Sequence, residues 1–427
     1  FVDRQQGWAV GDRGAIWHTT DGGRQWRLQR SGVNCRLSAV CFVSPETGWA
    51  AGGFSHPYLH TGSGVLLFTE DGGKHWNRHT KLLLPPLVRM RFFDSRVGVA
   101  IALPSAMFPS GIFFTHSAGR GWDPMPGERG RGLQTGDFLD VRNGALAGSD
   151  VPGLVNRHGI IRVEPSEPLA GIRLPARLGL TAPNGGWLIG QGGLVLRTAE
   201  RGAEWHLPPG ELASLGADQF NFAALEVRGP KCWIAGNPGS RVFFTGDAGR
   251  SWTAYSTGQT APLEAITFVD DEHGWAVGHL GTILATTDGG QTWSRQRAGG
   301  ARATLLGVFG EPKDVPWELF VRLSGNDGYL AVAEIVYRRD TELASRDEVP
   351  LANRLQEAMV RAGACGAQLA WQFPLRQPGL DLPMAQVLEA WDRVHGGRGL
   401  EALESHLVRT IRTWRPDLLE KEEINKI

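Results

Sequence analysis

At 427 residues, 41% hydrophobic and 21% charged, the chain is long enough for two or more cores and has an ordinary globular composition, which excludes disorder as its bulk state. Its 44 Lys plus Arg balance 44 Asp plus Glu, so no net field favours nucleic acid or an anionic membrane. No apolar run approaches the ~20 residues that span a bilayer as a helix, since Pro85 and Pro86 interrupt Leu82 to Val88. The four cysteines, Cys35, Cys41, Cys232 and Cys365, form no CxxC pair and leave the compartment open. Neither Met nor a basic-then-apolar leader opens the chain at Phe1, so the N-terminus reads as cut.

A repeated unit begins almost at once. Gly7 to Trp26 reads Gly-Trp-Ala-Val-Gly, then, after Asp-Arg-Gly-Ala, Ile-Trp-His-Thr-Thr-Asp-Gly-Gly-Arg-Gln-Trp, and His273 to Trp293 nearly repeats it. The closing block Thr-x-Asp-x-Gly-x-x-Trp stands intact at Thr19 to Trp26, Thr69 to Trp76, Thr245 to Trp252 and Thr286 to Trp293. Two copies are weakened, by Ser117 in Thr115 to Trp122 and by Glu200 in Thr198 to Trp205. The six block tryptophans are separated by 50, 46, 83, 47 and 41 residues, and the gap of 83 spans two periods. A worn copy fills it at Asp137 to Val163, with Gly144-Ala145-Leu146-Ala147-Gly148 in the Gly-Trp-Ala-Val-Gly slot. Alternating runs such as Leu263 to Val269, punctuated by glycine, argue strand, and each unit reads as four strands. Four strands at a period of ~40 to 50 residues predict an all-β seven-bladed β-propeller over residues 1–297. One blade is worn and the first is incomplete, because Phe1-Val2-Asp3 matches only the end of Leu263 to Asp270.

Within the block, Asp21, Asp71, Asp247 and Asp288 can accept backbone N–H bonds across their own turns, and the glycines supply positive φ at little steric cost. Trp26, Trp76, Trp252 and Trp293 then cover the turns. The block is therefore expected to staple a hairpin. A metal or sugar site would need the copies to converge, whereas a propeller spreads them around its rim. His18, His56, His60, His75, His79 and His116 are scattered in the same way and read as surface or strand residues.

These residues resemble the Asp-box repeat. Gly-Trp-Ala-Val-Gly joined to Thr-x-Asp-Gly-Gly-x-x-Trp is most similar to the seven-bladed propellers of the photosystem II stability and assembly factor family, over residues 1 to about 297. The resemblance implies a non-enzymatic scaffold that holds a protein partner through its loops. A sialidase, which shares the Asp-box, would need an arginine cluster and a Tyr nucleophile with an acidic helper, and only Tyr58 and Tyr255 lie in the propeller region.

After a linker at 298–303 the pattern changes to alternating strands and helices: Thr304 to Phe309, Tyr329 to Tyr337 and Gln368 to Phe373 read as strands. Leu351 to Ala362, Pro383 to Gly396 and Leu400 to Trp414 read as helices, the last with Leu403, Leu407, Val408 and Ile411 inward. Residues 304–427 are thus expected to form a partial α/β Rossmann-like domain. Gly310-Glu311-Pro312-Lys313-Asp314 after the first strand and Arg415-Pro416-Asp417 after the last helix resemble the PIG-L/LmbE family of zinc-dependent N-acetyl-sugar deacetylases. In that family a His and the second Asp hold zinc and the first Asp is the base. Here Glu311 takes the His place and Asp314 is kept, so these two are the candidate metal residues, while Lys313 replaces the base. The family's third ligand lies downstream of Arg-Pro-Asp, and Lys421 and Lys426, two of only six lysines, fall in the last seven residues, which reads as truncation. The expectation is a protein-binding propeller fused to a degenerate deacetylase-like domain, with no cofactor. The alternative is a zinc deacetylase, complete only in a longer form, that uses the propeller for targeting.

Overall fold

The computed structural model describes residues 1–55, 62–79, 83–102, 105, 107–125, 133–148, 153–156, 159–162, 175–297, 303–309, 314–326, 329–335, 366–369 and 384–421. The chain divides into two units, Phe1–Ala298 and Gly299–Ile427.

Unit 1 is an all-β propeller whose antiparallel sheets each follow chain order. The first holds β1 (Gly7–Val10), β2 (Ile16–Thr19) and β3 (Arg27–Gln29). The second holds β4 (Arg36–Phe42), β5 (Gly48–Ser55), β6 (Gly62–Thr69) and β7 (Asn77–Arg78). Next come β8 (Leu87–Phe92), β9 (Gly98–Ala102), β10 (Ile112–Thr115) and β11 (Asp123–Pro124), then β12 (Leu133–Asp140), β13 (Asn143–Gly148), β14 (Gly153–Asn156) and β15 (Gly159–Arg162). A three-stranded sheet follows, of β16 (Pro175–Thr181), β17 (Gly185–Gly190) and β18 (Val195–Thr198). The last two are β19 (Asn221–Arg228), β20 (Lys231–Asn237), β21 (Arg241–Thr245) and β22 (Thr253–Ser256), and β23 (Leu263–Phe268), β24 (Gly274–Gly278), β25 (Ile283–Thr286) and β26 (Ser294–Arg297).

Six of these sheets have an innermost strand of their own, and β1–β3 has none. The expectation of seven blades is therefore corrected to six blades plus a partial sheet, because no strand precedes Gly7. The worn stretch from Asp137 nevertheless forms part of a four-stranded sheet, β12–β15, so backbone pairing survives loss of the Trp block. In β16–β18 the outer strand shrinks to a single bridge between Arg197 and His206, with Pro208 and Pro209 following, which cannot donate to a ladder.

Between sheets the packing is aromatic. Phe42 stacks on Trp8 at 3.5 Å, Phe92 on Trp49 at 3.6 Å and Phe268 on Trp233 at 4.2 Å, each Phe ending an inner strand and each Trp belonging to the preceding sheet. Phe1 stacks on Trp275 in the same way at 3.5 Å, and Arg4 pairs with Asp270 at 2.7 Å, so the first residues fasten the last sheet to β1–β3. These Phe rings also explain the glycine that opens β5, β9 and β24. A Cβ on Gly48 would lie 2.5 Å from the Phe42 ring, and one on Gly274 would lie 2.5 Å from that of Phe268.

The described residues of unit 2 contain a parallel sheet in the order β29-β28-β27-β30, made of β27 (Thr304–Phe309), β28 (Leu330–Ile335), β29 (Gly366–Leu369) and β30 (Leu418–Lys421). Helix α1 (Trp317–Phe320) continues as a π-helical turn, and α2 (Met384–Val394) and α3 (Gly399–Trp414) follow. Leu305, Phe309, Ala331 and Ala333 pack with Val315 and Phe320, while Val308 packs with Trp391, Leu388, Leu403 and Leu407. The inward stripe of α3 is rotated from the expected one: Val408 and Ile411 are each 38% exposed, and Thr410, Thr413 and Trp414 are buried. The expected helix at Leu351 to Ala362 lies outside the described residues, and the Rossmann-like domain as a whole is not shown by these elements. Among the described residues no helix is long and apolar enough to cross a membrane.

Candidate functional site

The Thr-x-Asp turns are organised around the threonine hydroxyl, a partner the aspartate-centred expectation missed. Thr19 is buried; its Oγ1 donates to Asp21 Oδ1 at 2.9 Å and accepts the Gly23 N–H at 2.9 Å. Asp21 Oδ1 also accepts the Gln25 N–H at 2.8 Å. The same set recurs at Thr69 and Asp71, Thr245 and Asp247, and Thr286 and Asp288. These bonds favour the charged acid. The side-chain and backbone bonds from Ser251 hold the Asp247 carboxyl down at about 2. Trp293 folds back over its turn, donating Nε1–H to the Gly290 carbonyl at 2.9 Å, whereas Trp76 reaches Gln29 Oε1 at 3.1 Å. Trp26 and Trp252 are half-buried with no hydrogen-bond partner at Nε1.

The geometry ranks the two side chains of a turn. Thr286→Val leaves the buried Gly290 N–H unpaired and costs about 1–3 kcal/mol, whereas Asp288→Ala exposes its partners to water and costs less. Chemical denaturation of both variants checks this order, and an aspartate loss equal to the threonine loss would overturn it. Of the four aspartates, Asp21 and Asp71 are brought to one place, a polar cleft of about 420 Å³ also lined by Arg27, Glu46 and Lys74. Asp247 and Asp288 lie in other sheets.

A second cluster was not singled out from the sequence. Each inner strand shows a register shift at the same point, between Leu37 and Ala39, Leu87 and Arg89, Leu133 and Thr135, Pro175 and Arg177, Phe222 and Ala224, and Leu263 and Ala265. A bulge releases carbonyls from the ladder, and released carbonyls need donors. Arg89 supplies Val88 O at 2.8 Å and Ala176 O at 3.4 Å; Arg177 supplies Ala223 O at 2.8 Å and Glu264 O at 2.9 Å. Each guanidinium thus reaches between sheets, at the end of the propeller axis where the bulges lie. Burial pushes Arg177 down to about 10, Glu264 opposing and Arg36 adding to the shift, so it remains a cation at neutral pH. Burial pushes the Glu264 carboxyl up, but the hydrogen bond from His279 at 3.0 Å and the charges of His279, Arg36 and Arg177 outweigh it and hold it at about 2. The Arg36 side chain is 43% exposed and approaches Asp12 at 3.9 Å. The arrangement can hold a carboxylate: cations fixed in advance by backbone oxygens, at an open end.

Further along the inner strands, Arg91 Nη1 pairs with Asp137 at 3.0 Å, and Asp137 also accepts the Leu180 N–H at 2.9 Å. Nearby Glu226 is raised to about 7 by burial, against the charge of Arg228 and a bond from the Phe268 N–H. Of the expected metal pair, Glu311 lies outside the described residues, and Asp314 is half-buried just before α1. No group of three His, Cys, Asp or Glu among the described residues is placed to hold a metal ion, so the zinc reading gains no support.

Comparison with known proteins gives unit 1 its context. The family described as photosynthesis system II assembly factor YCF48 matches residues 1–85 and 173–264. The photosystem II assembly lipoprotein Ycf48 of Synechococcus sp. (strain CC9902) is 26% identical over 161 residues, 37% of this chain and 43% of that one, so the chain spans less than half of that relative. The photosystem II stability/assembly factor HCF136 of Arabidopsis thaliana is 24% identical over 311 residues, 65% of this chain and 72% of that one. A solved structure described as YCF48 bound to D1 peptide superposes with a TM-score of 0.51 at 19% identity, covering 67% of this chain and 89% of that one. The GH74 xyloglucanase of Xanthomonas campestris superposes with a TM-score of 0.52 at 14% identity, covering 70% of this chain and 53% of that one. At these identities the structures establish the propeller fold alone, and an enzyme among them shows that the fold does not decide the activity.

Proposed function

We propose that unit 1 is a non-enzymatic, assembly-factor-like scaffold that holds a protein partner by an acidic segment at the bulged end of its axis. The observation that carries this reading is the arginine cluster of Arg36, Arg89 and Arg177, two of whose members are fixed by bulge carbonyls. Pre-positioned guanidinium groups lose little freedom when a carboxylate arrives, and their planar forks can bind it in two places. A protein-segment ligand is supported by the relative described as bound to D1 peptide, and a scaffold role by the assembly factors that unit 1 resembles.

Selection from a displayed peptide library against the purified chain, followed by crosslinking, tests the reading. Enriched peptides should be acidic and should crosslink beside β4, β8 and β16, and Arg36→Glu with Arg177→Glu should weaken them at least about tenfold, the scale of one charge-assisted hydrogen bond. Peptides that bind the double variant as tightly as the parent would defeat the proposal.

A further inference from the structure

Four joints of the ring share one latch, in which the second-strand tryptophan donates its indole N–H to a turn carbonyl of the next sheet. Trp8 reaches Gly72 O at 3.3 Å, Trp49 Ala118 O at 3.0 Å, Trp233 Gly289 O at 2.7 Å, and Trp275 Gly22 O at 2.9 Å. At a fifth joint Trp187 packs edge-on against Trp252 at 5.5 Å. Val99 on β9 and Ala145 on β13 occupy the equivalent place, so neither joint that flanks β12–β15 has this latch; Trp205 of the following sheet is fully buried in one cluster with Ala145, but its Nε1 has no hydrogen-bond partner. This sheet also lacks the Thr-led block, which stands intact in four of the other sheets and weakened in two.

One carboxylate stands in for both latches. Asp137 on β12 accepts Arg91 Nη1 from β8 at 3.0 Å and the backbone N–H of Leu180 from β16 at 2.9 Å. Its side chain is 20% exposed and that of Arg91 is 46% exposed, so water competes for this fastening in a way it does not for the fully buried Trp233. Separating a latched joint uncovers a large indole and breaks its hydrogen bond; separating the joints of β12–β15 uncovers Val99 on one side and Ala145 with Trp205 on the other, and breaks no indole hydrogen bond.

We propose that β12–β15 is the segment at which the ring opens as a single cooperative unit, with Asp137 as its fastener to both neighbours. The proposal is independent of what the axial arginines bind. It does place the opening beside them, since Arg89 and Arg91 lie on the same inner strand and Arg89 reaches past β12 to Ala176 O.

Native-state hydrogen exchange on the full chain, read by mass spectrometry, tests this. Peptides within 133–148 should exchange together and at least tenfold faster than peptides within 36–55, 231–245 and 274–286. Asp137→Asn, which keeps the size but removes the charge, should raise exchange in 133–148 about a further tenfold and leave 231–286 unchanged. Arg91→Ala removes one of the two bonds and should give a smaller, equally local rise, which keeps the proposal testable if Asp137→Asn fails to fold. Protection of 133–148 equal to the latched sheets would overturn the proposal. So would a change spread evenly over all the sheets in the variants.

Discussion

Trp233→Ala destabilises unit 1 by about 3–5 kcal/mol, the range for removing a large aromatic side chain from a packed interior. Trp233 is fully buried, and three contacts depend on it: the 2.7 Å hydrogen bond to Gly289 O, the stack on Phe268 at 4.2 Å, and the packing against Phe244 at 5.1 Å. Alanine removes all three and strands the Gly289 carbonyl, adding an unpaired acceptor to the cavity. The cavity cannot collapse easily, because Ala224, Ala235 and Ala276 around it are already small and fully buried. Trp293→Ala loses a half-buried ring whose hydrogen bond, to Gly290 O, lies within its own turn, and costs less. Equilibrium denaturation of both variants measures the difference. A Trp233→Ala loss no larger than that of Trp293→Ala would mean that the joints between sheets do not hold the ring.

That ranking also shows what the sequence could and could not disclose. The turn aspartates and tryptophans are conspicuous because Thr-x-Asp-x-Gly-x-x-Trp is contiguous, and local hydrogen bonds follow from local spacing. The joint is not contiguous. Trp8 meets Gly72 across 64 positions and Trp275 meets Gly22 across 253, so the role of the second-strand Trp appears only when sheets are placed side by side. The axial cluster was hidden for a different reason. A period-2 pattern assigns Arg89 and Arg91 to one face of a strand, but the bulge at Val88 redirects the backbone there, and no residue type announces a bulge at this site. The partial first sheet was legible, because Phe1 and Gly7 keep the spacing of Phe42 and Gly48, whereas the count of inner strands depended on pairing. In unit 2 the expected rotation of α3 failed because Val408 and Ile411 are apolar yet face outward, while Thr410 and Thr413 take the buried stripe.

Glu226→Gln raises the stability of unit 1 at pH 8 and leaves it nearly unchanged at pH 4. The folded carboxyl is pushed up to about 7 from an ordinary 4.5 by burial, with the Arg228 charge and the Phe268 N–H opposing. A group raised in the folded state contributes stability that is fully present below its unfolded value and lost as pH rises through its folded one. The window is therefore about pH 4.5 to 7, and a difference of 1.36 kcal/mol per pH unit sets the loss at no more than about 3 kcal/mol. Glutamine keeps an acceptor for the Phe268 N–H but cannot ionise, so it removes the loss without unmaking the contact. Glu264 has the opposite sign: held at about 2 by His279, Arg36 and Arg177 against burial, its contribution is present above the ordinary carboxyl range and fades as pH falls from there toward 2. The two acids thus give wild-type protein a maximum near pH 5, between the loss of Glu264 contacts below and the cost of ionising Glu226 above. Thermal unfolding at pH 4, 5, 6, 7 and 8 checks the shape. In Glu226→Gln the decline between pH 5 and pH 8 should flatten by several degrees, and an unchanged decline would remove Glu226 as its cause.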